Sequence, residues 1–216
     1  WGASLAMLHK SGIRSYDETG RRQGDVSARD TAATLAWGRS VLSEDFAVGL
    51  GVKWIKQDLA GYGSSSYAAD LGALYDFYRG ERLKAAAGLA VRNLGSAGAF
   101  VSEKGTLPRT AAAGLGLKTL DERMAVGLDA TLPKEGGVKP SLGGEYWVHP
   151  MLAARAGLKL GSDIGTGFSA GLGLRIQAFQ FDYSFSDFGA LGFIHRGGLT
   201  FRFGGQLENI YRQGIE

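Results

Sequence analysis

The sequence contains no cysteine, and this absence limits the chemistry available to the protein. Without thiols there is no disulfide framework, no thiolate metal site and no cysteine nucleophile. Proline occurs only 4 times against 35 glycines in 216 residues, so the glycines belong neither to a collagen-like repeat nor to a proline-rich linker. The chain begins at Trp1 without a methionine or a signal peptide, which we interpret as a processed protein or a fragment.

Long apolar runs and a large charge excess are also missing. No stretch approaches the roughly 18 to 20 apolar residues that a membrane helix needs, which excludes a helical membrane protein. The formal net charge is only +3, and no run of Lys and Arg exceeds two residues. We therefore expect no nucleic-acid partner.

A two-residue alternation of apolar and polar side chains recurs along the chain and predicts an all-β protein. In residues 66–78, for example, Tyr67, Leu71 and Phe77 occupy one face of the predicted strand and Asp70 occupies the other. The pattern gives twelve strands, with approximate bounds 2–12, 29–41, 46–59, 66–78, 82–94, 109–119, 124–133, 139–148, 151–161, 166–177, 178–187 and 193–204.

The length of the predicted strands favours a membrane barrel over a soluble β-sandwich. Most strands reach the roughly 9 to 11 residues that a tilted strand needs to cross a bilayer, whereas strands of soluble domains more often have about five or six. The alanine-containing apolar rows suit lipid, and the rows of Gly, Ala and charges suit a wet interior. A soluble sandwich or lipocalin-like barrel is the minor alternative. We predict an antiparallel transmembrane β-barrel over residues 1–204, followed by a tail at 205–216.

The connections between the predicted strands alternate in length. Short links such as 79–82 alternate with longer ones such as 12–30, 60–66 and 95–109. Outer-membrane barrels have short periplasmic turns and longer extracellular loops, which predicts a location in the bacterial outer membrane. The two longest loops are candidate sites for a protein partner, and their candidate residues are Tyr16, Arg21, Arg22, Arg29, Phe100, Lys104 and Arg109.

No motif in the sequence carries catalytic, metal-binding or cofactor-binding chemistry. His9, His149 and His195 lie on separate segments without a metal-ligand spacing. The glycine pattern at 171–175 lacks the third glycine of a dinucleotide site, and the serines at 64–66 lack the context of a nucleophile elbow. A hydrolase assembled from several strands is the minor alternative. We expect no enzymatic activity, no metal and no cofactor.

Charged residues of both signs interrupt the polar rows that we predict to face the barrel lumen. Opposite charges on neighbouring strands can pair. We therefore favour a salt-bridged plug that holds a narrow barrel shut over a conductive, ion-selective pore. The predicted lumenal charges are Asp70, Lys84, Arg92, Asp129, Glu145, Arg155, Lys159, Arg175, Asp182, Arg196 and Arg202.

The last predicted hairpin, residues 179–203, carries aromatic rings at every second position near its two ends. Phe181 and Tyr183 are predicted to face lipid, and Asp182 between them is predicted to face inward. His195 falls on the lipid-facing register. We expect either a register shift at this point or a position at the membrane rim.

The order of these segments resembles the PorV/PorQ family of outer-membrane proteins. The resemblance covers residues 4–203, and its best blocks are "AADLGALY" (68–75), "NLG" (93–95) and "LGFIHR" followed by "LTFRF" (191–203). It implies a barrel similar to that of the long-chain fatty-acid transporter FadL, with fourteen strands. Two departures are the count of twelve strands and the continuation of the chain past Phe203.

The resemblance also implies a role in type IX secretion, in which the better-known family members receive cargo or anchor a surface protein. We therefore predict a non-enzymatic, protein-binding accessory of a secretion or surface-attachment system, with membrane lipid and a protein as partners. The alternative is a FadL-like transporter of hydrophobic small molecules, although the only large apolar side chains predicted to face the lumen are Ile55, Leu74 and Trp147. A barrel with a purely structural role is a third possibility.

Overall fold

The computed structural model is built around one antiparallel sheet of twelve strands, and it describes residues 1–100, 103–104, 106–119, 121, 123–161 and 165–202. Successive strands of this sheet are neighbours, as in a chain of hairpins. The strands are β1 (Gly2–Tyr16), β2 (Arg22–Ser40), β3 (Phe46–Leu59), β4 (Tyr62–Arg79), β5 (Leu83–Ser96), β8 (Thr110–Thr119), β9 (Met124–Pro133), β10 (Lys139–His149), β11 (Leu152–Lys159), β12 (Phe168–Ile176), β13 (Phe179–Asp187) and β14 (Phe193–Phe201), and a separate hairpin pairs β6 (Ala99–Phe100) with β7 (Glu103–Lys104).

The all-β fold class and the twelve strands of the main sheet confirm the sequence prediction. The predicted bounds 46–59 and 124–133 coincide with those of β3 and β9. Phe203 and the predicted tail at 205–216 lie outside the described residues.

The predicted loop at 12–30 is wrong over most of its length. β1 continues to Tyr16 and β2 begins at Arg22, so the connection is reduced to residues 17–21. The alternation of apolar and polar residues is interrupted here because the pairing of β1 with β2 is irregular. Its register shifts between Lys10 and Ile13 and between Ser15 and Tyr16. Pairing nevertheless continues through these shifts. The 19 residues of β2 exceed the length needed to cross a bilayer, about 9 to 11 residues.

The predicted loop at 60–66 is also wrong. Leu59 pairs with Tyr62, so the connection is a two-residue turn of Ala60 and Gly61. Their φ angles of 54° and 86° are both positive, as a type I′ hairpin turn requires. The following serines belong to β4 rather than to a loop, because Ser64 and Ser66 alternate onto a buried face.

Few apolar side chains are buried in this sheet. Among the described residues the buried hydrophobic side chains are Ala68, Ala85, Leu107 and Ala153, and none of the large side chains is fully buried. The large apolar residues are instead about half exposed, as at Phe181 with 48%. A sandwich would bury these rows against each other, whereas a lipid-facing row needs no protein partner. Within the described ranges, no helix is long and apolar enough to cross a membrane.

The chain divides into two compact units. The first unit comprises Trp1–Tyr75, Leu89–Ala111 and Pro133–Glu135. The second comprises Asp76–Gly88, Ala112–Leu132 and the chain from Gly136 onward. Each unit contains a cluster of paired polar side chains, and the two clusters are described separately below.

The last hairpin keeps one register from Asp187 opposite Phe193 to Phe179 opposite Phe201. The register shift predicted at His195 is therefore wrong. The ring nitrogen Nδ1 of His195 lies 2.7 Å from the Tyr183 hydroxyl on the ring-bearing face. This hydrogen bond satisfies both polar groups where apolar side chains surround them. The position at the membrane rim stays a prediction.

The Ala60–Gly61 turn leads to a test of backbone conformation. We expect Gly61→Ala to lower the free energy of unfolding by about 1 to 2 kcal/mol, because a side chain is disfavoured at positive φ. Gly63→Ala is the matched control, since Gly63 lies in the adjoining strand and its new Cβ would only reach 3.9 Å from the Gln57 carbonyl oxygen. Urea unfolding in lipid vesicles measures both variants. Equal losses at the two positions would contradict the assignment of the turn.

Candidate functional site on the polar face

Arg155 on β11 is the centre of a charge network on the polar face of the second unit. Its Nε donates to Glu145 Oε2 at 2.6 Å, and its Nη1 donates to Asp182 Oδ1 at 2.5 Å. All three side chains are only about one third exposed. One guanidinium therefore bridges two carboxylates, which matches the fixed fork of donors that Arg presents.

Glycines on β12 allow Arg155 to reach Asp182. β12 lies between β11 and β13, with Gly171 opposite Arg155 and Gly173 opposite Asp182. A Cβ on Gly173 would lie 3.0 Å from Asp182 Oδ1 and 3.1 Å from Arg155 Nη2. The ion pair thus occupies the space that a side chain at Gly173 would take.

The Glu145 side of the network extends to an aromatic ring and a second arginine. Trp147 Nε1 donates to Glu145 Oε1 at 2.8 Å. The Arg175 guanidinium carbon lies 4.1 Å from the centre of the Trp147 ring, which is the geometry of a cation–π contact. Trp147 was predicted to face the lumen as an apolar residue. It does lie on the polar face, but it acts there as a hydrogen-bond donor.

The Asp182 side extends through an amide to a third arginine. Gln180 Nε2 donates to both carboxylate oxygens of Asp182, at 3.0 and 2.9 Å. The Gln180 carbonyl oxygen accepts from Arg202 Nη2 at 2.8 Å. We use the name Arg155 network for Glu145, Trp147, Arg155, Arg175, Gln180, Asp182 and Arg202. Its three guanidinium groups outnumber its two carboxylates.

Two cavities flank the Arg155 network within the second unit. The first has a volume of about 590 Å³, and Glu145 lines it. The second has a volume of about 460 Å³, and Arg155 and Asp182 line it. The remaining wall of the first cavity mixes apolar and charged residues, among them Ala86, Leu117, Ala125, Val126, Lys84 and Asp129. The second is lined by serines and by Arg196 as well.

A smaller cluster in the first unit joins Lys53, Asp70 and Asn93. Lys53 Nζ lies 2.6 Å from Asp70 Oδ2 and donates to Asn93 Oδ1 at 3.1 Å. The backbone N–H of Asn93 donates to Asp70 Oδ1 at 2.9 Å. Asn93 has a φ of 59°, so the backbone of β5 leaves the regular strand conformation here.

The connection that follows β5 packs on β4. Asn93 Nδ2 donates to the Pro108 carbonyl oxygen at 2.9 Å, which ties the two ends of the connection together. The Gly98 N–H donates to Ser66 Oγ at 2.9 Å, and Leu107 is buried. The end of the predicted partner-binding loop at Arg109 is thus anchored to the sheet. The side chains of Phe100 and Lys104 lie outside the described residues.

The other predicted partner-binding residues lie at and beside the 17–21 turn. Asp17 Oδ1 organises this turn, because it accepts from the N–H groups of Thr19 at 3.0 Å and Arg21 at 2.8 Å. The hydrogen bond from the Thr19 hydroxyl, at 2.7 Å, is the main cause that lowers the pKa of Asp17. Tyr16 ends β1, Arg21 lies in the turn, and Arg22 and Arg29 belong to β2. All four are exposed.

The remaining predicted lumenal charges divide between cavity walls and exposed positions. Lys84 and Asp129 line the first cavity, and Arg196 lines the second with its Nη1 at 3.4 Å from Ser186 Oγ. Arg92 on β5 and Lys159 at the end of β11 are exposed.

Some members of the two clusters were missed in the sequence. Lys53, Asn93 and Gln180 were not among the predicted lumenal residues. Gln180 alternates with the aromatic residues of the last hairpin in the same way as Asp182. The alternation therefore predicted the same polar face for both residues. Among the residues the structure describes, no group of three or more His, Cys, Asp or Glu side chains is placed to hold a metal ion.

Comparison with solved structures identifies the fold of this sheet. The crystal structure of the Pseudomonas putida toluene transporter TodX is similar to this chain at a TM-score of 0.56 and 13% sequence identity, over 85% of this chain and 72% of TodX. The fold is that of an antiparallel transmembrane β-barrel. This confirms the FadL-like fold expected from the sequence, and the position of the Arg155 network in the barrel interior stays a prediction.

Comparisons of sequence give no further assignment. No protein-family model matches the chain, and no curated protein matches it. Membership of the PorV/PorQ family therefore stays a prediction, as does the type IX role attached to it.

The space at Gly173 leads to a test of the Arg155 network. We expect Gly173→Val to lower the free energy of unfolding by about 1 to 3 kcal/mol, because the new side chain overpacks the guanidinium and the carboxylate. The control is Gly116→Val, since a Cβ on Gly116 meets no atom within 4 Å. Urea unfolding in lipid vesicles compares the two. A loss at Gly116 as large as at Gly173 would show that valine itself, rather than crowding, is responsible.

The Asp17 turn predicts a local dependence on pH. Because the folded pKa of Asp17 is lowered, the stability from its hydrogen bonds is present above the pKa of the unfolded carboxyl and is lost as the pH falls through the lower folded pKa. Amide hydrogen exchange at Thr19 and Arg21, followed across acidic pH, should show this loss as a fall in the protection factor, which is the ratio of the intrinsic to the observed exchange rate. In Asp17→Asn the protection should be weaker throughout and independent of this titration. Unchanged protection in that variant would contradict the role of the carboxylate.

Proposed function

We propose that this chain forms an outer-membrane channel that admits small hydrophobic molecules, without enzymatic activity. The observation that carries the proposal is the likeness to the toluene transporter TodX over 85% of this chain. A shared fold alone does not assign a function, so the interior must also suit such a solute.

The first cavity is suited to a small apolar molecule. Its volume of about 590 Å³ falls within the range of about 300 to 1,000 Å³ for small-molecule sites. Ala86 and Ala125 contribute apolar surface to its wall, and Ala125 lies opposite Glu145 in the ladder. From the sequence, the only large apolar side chains predicted to face the lumen were Ile55, Leu74 and Trp147. Ala86 and Ala125 are smaller than any of these. Small apolar side chains leave volume for the solute.

The protein-binding accessory role has less support than transport. The comparisons contain nothing that favours a secretion partner, and one of the two predicted binding loops is anchored on β4 through Gly98, while Asn93 ties its two ends together. The two hypotheses differ in what the protein retains in native membranes. A pull-down that recovers a secreted or surface protein, and loses it when residues 95–109 are deleted, would favour the accessory role over transport.

Uptake of radiolabelled toluene by intact cells tests the proposal. We expect cells that express the full chain to take up toluene faster than cells with an empty vector. Ala86→Phe should reduce this gain because the ring fills part of the first cavity. Leu89→Phe lies on the same strand with its side chain on the opposite face, where it is 66% exposed, and should leave uptake unchanged.

Each outcome of the uptake experiment has one meaning. Uptake equal to that of the empty vector, from a protein that is folded in the membrane, would refute the channel. A gain that Ala86→Phe and Leu89→Phe affect equally would refute a route through the first cavity. Folding of each variant is checked by the mobility shift of unheated barrels on gels.

A further inference from the structure

We propose that Lys56 and Arg29, in the first unit, bind the phosphate groups of anionic lipids at the membrane surface. This inference rests on the barrel fold and on the register of β1 to β4. It does not depend on transport of hydrophobic molecules, because it concerns the contact between the sheet and lipid.

An apolar band covers one face of β3 and β4. Residues that oppose each other on neighbouring antiparallel strands share a face and form rows across the sheet. One row joins Phe46 to Tyr75, and another, further along the same face, joins Trp54 to Tyr67. The residues of β3 that lie between these two rows on this face are Val48, Leu50 and Val52.

The apolar band has the length of one membrane crossing. From Phe46 to Trp54 the strand has a length within the roughly 9 to 11 residues that a tilted strand needs to cross a bilayer. Tyr67 is 66% exposed opposite Trp54, and aromatic rings gather at the edges of the apolar band in membrane barrels. The row of Trp54 and Tyr67 therefore marks one membrane surface.

The next two rows on this face are polar. In the first of them, Lys56 lies opposite Thr31 on β2 and Ser65 on β4. In the second, Arg29 and Asp58 oppose each other. These side chains consequently lie where lipid headgroups, rather than acyl chains, would contact the sheet.

The charge of these two rows favours an anionic group. Lys56 and Arg29 are exposed, and within the described ranges neither side chain forms an ion pair or a hydrogen bond. Asp58 is the carboxylate of the two rows, and it is less exposed than either cation. The cations outnumber it, and both ammonium and guanidinium groups bind phosphate.

Lipid fits this surface better than a protein partner does. Arg29 was predicted to belong to a protein-binding loop, but it lies within β2, and its pairing with Asp58 belongs to a regular ladder. Long cationic side chains beside an apolar surface extend their charged ends to the headgroups. Phosphate groups at that surface complement the two cations without any further element of protein.

Native mass spectrometry of the full chain in neutral detergent tests the assignment. Phosphatidylglycerol is the anionic probe, and phosphatidylcholine with the same acyl chains is the zwitterionic probe. We expect the unaltered protein to retain severalfold more phosphatidylglycerol than phosphatidylcholine. Lys56→Gln and Arg29→Gln should each reduce this preference, and the double variant should lose most of it. Lys56→Arg should keep it, because the positive charge remains.

Lys10→Gln is the matched control for Lys56→Gln. Lys10 is exposed and follows His9, which opposes Arg29, but Lys10 itself opposes Ala28 on the other face of the sheet. The control therefore removes one positive charge close to the polar rows without changing the rows themselves. The preference for phosphatidylglycerol should remain.

The outcomes decide the proposal in either direction. An unchanged preference in the double variant overturns it, and so does an equal reduction by Lys10→Gln and Lys56→Gln. If the double variant does not fold, Lys56→Gln decides by the same comparison. Displacement of phosphatidylglycerol by sodium phosphate, but not by sodium chloride of the same ionic strength, would assign the two side chains to a soluble phosphate ligand and overturn the lipid surface.

Discussion

Backbone pairing along the strands is the constraint on which the rest of this structure depends. In hydrocarbon an unpaired N–H or C=O costs several kcal/mol, so each strand must be hydrogen-bonded to its neighbours. Successive strands of the described sheet pair in chain order over long registers, such as the fourteen pairs from Phe46 opposite Tyr75 to Leu59 opposite Tyr62. The sheet can therefore remain ordered although few apolar side chains are buried.

The alternation that places aromatic rings on one face of the sheet places the charged residues on the other face. Ion pairs replace apolar packing there, and their geometry depends on the residues that lie between the partners. Gly173 is an example, because its missing side chain leaves the space in which Arg155 reaches Asp182 across β12. The abundance of glycine in the strands has a structural cause at this position, despite the backbone entropy that glycine costs.

Transport and a protein-binding accessory role depend on different parts of the molecule, namely the barrel interior and the loops. The fold is compatible with both functions. Transport depends on the volume and polarity of the barrel interior, and small apolar residues such as Ala86 line the same cavity as Glu145 of the Arg155 network. An accessory role depends on exposed connections, and the one after β5 is anchored on β4 by the hydrogen bond from Gly98 to Ser66.

The sequence by itself determined the fold class, the number of main strands and the polarity of their faces, because a two-residue period is a local property of the chain. It did not determine where strands end when the signals are irregular. Serines at 64 and 66 have the composition of a loop, yet β4 includes them because the Ala60–Gly61 turn closes the hairpin earlier.

Only the tertiary structure decided which polar side chains meet. Glu145, Arg155 and Asp182 were each predicted to face the lumen, but the bridge between them depends on strand register and on the gap at Gly173. Lys53 and Asn93 join Asp70 because pairing and a positive φ bring them together. Register is set by contacts distant in the sequence, so a pattern within one strand cannot specify it.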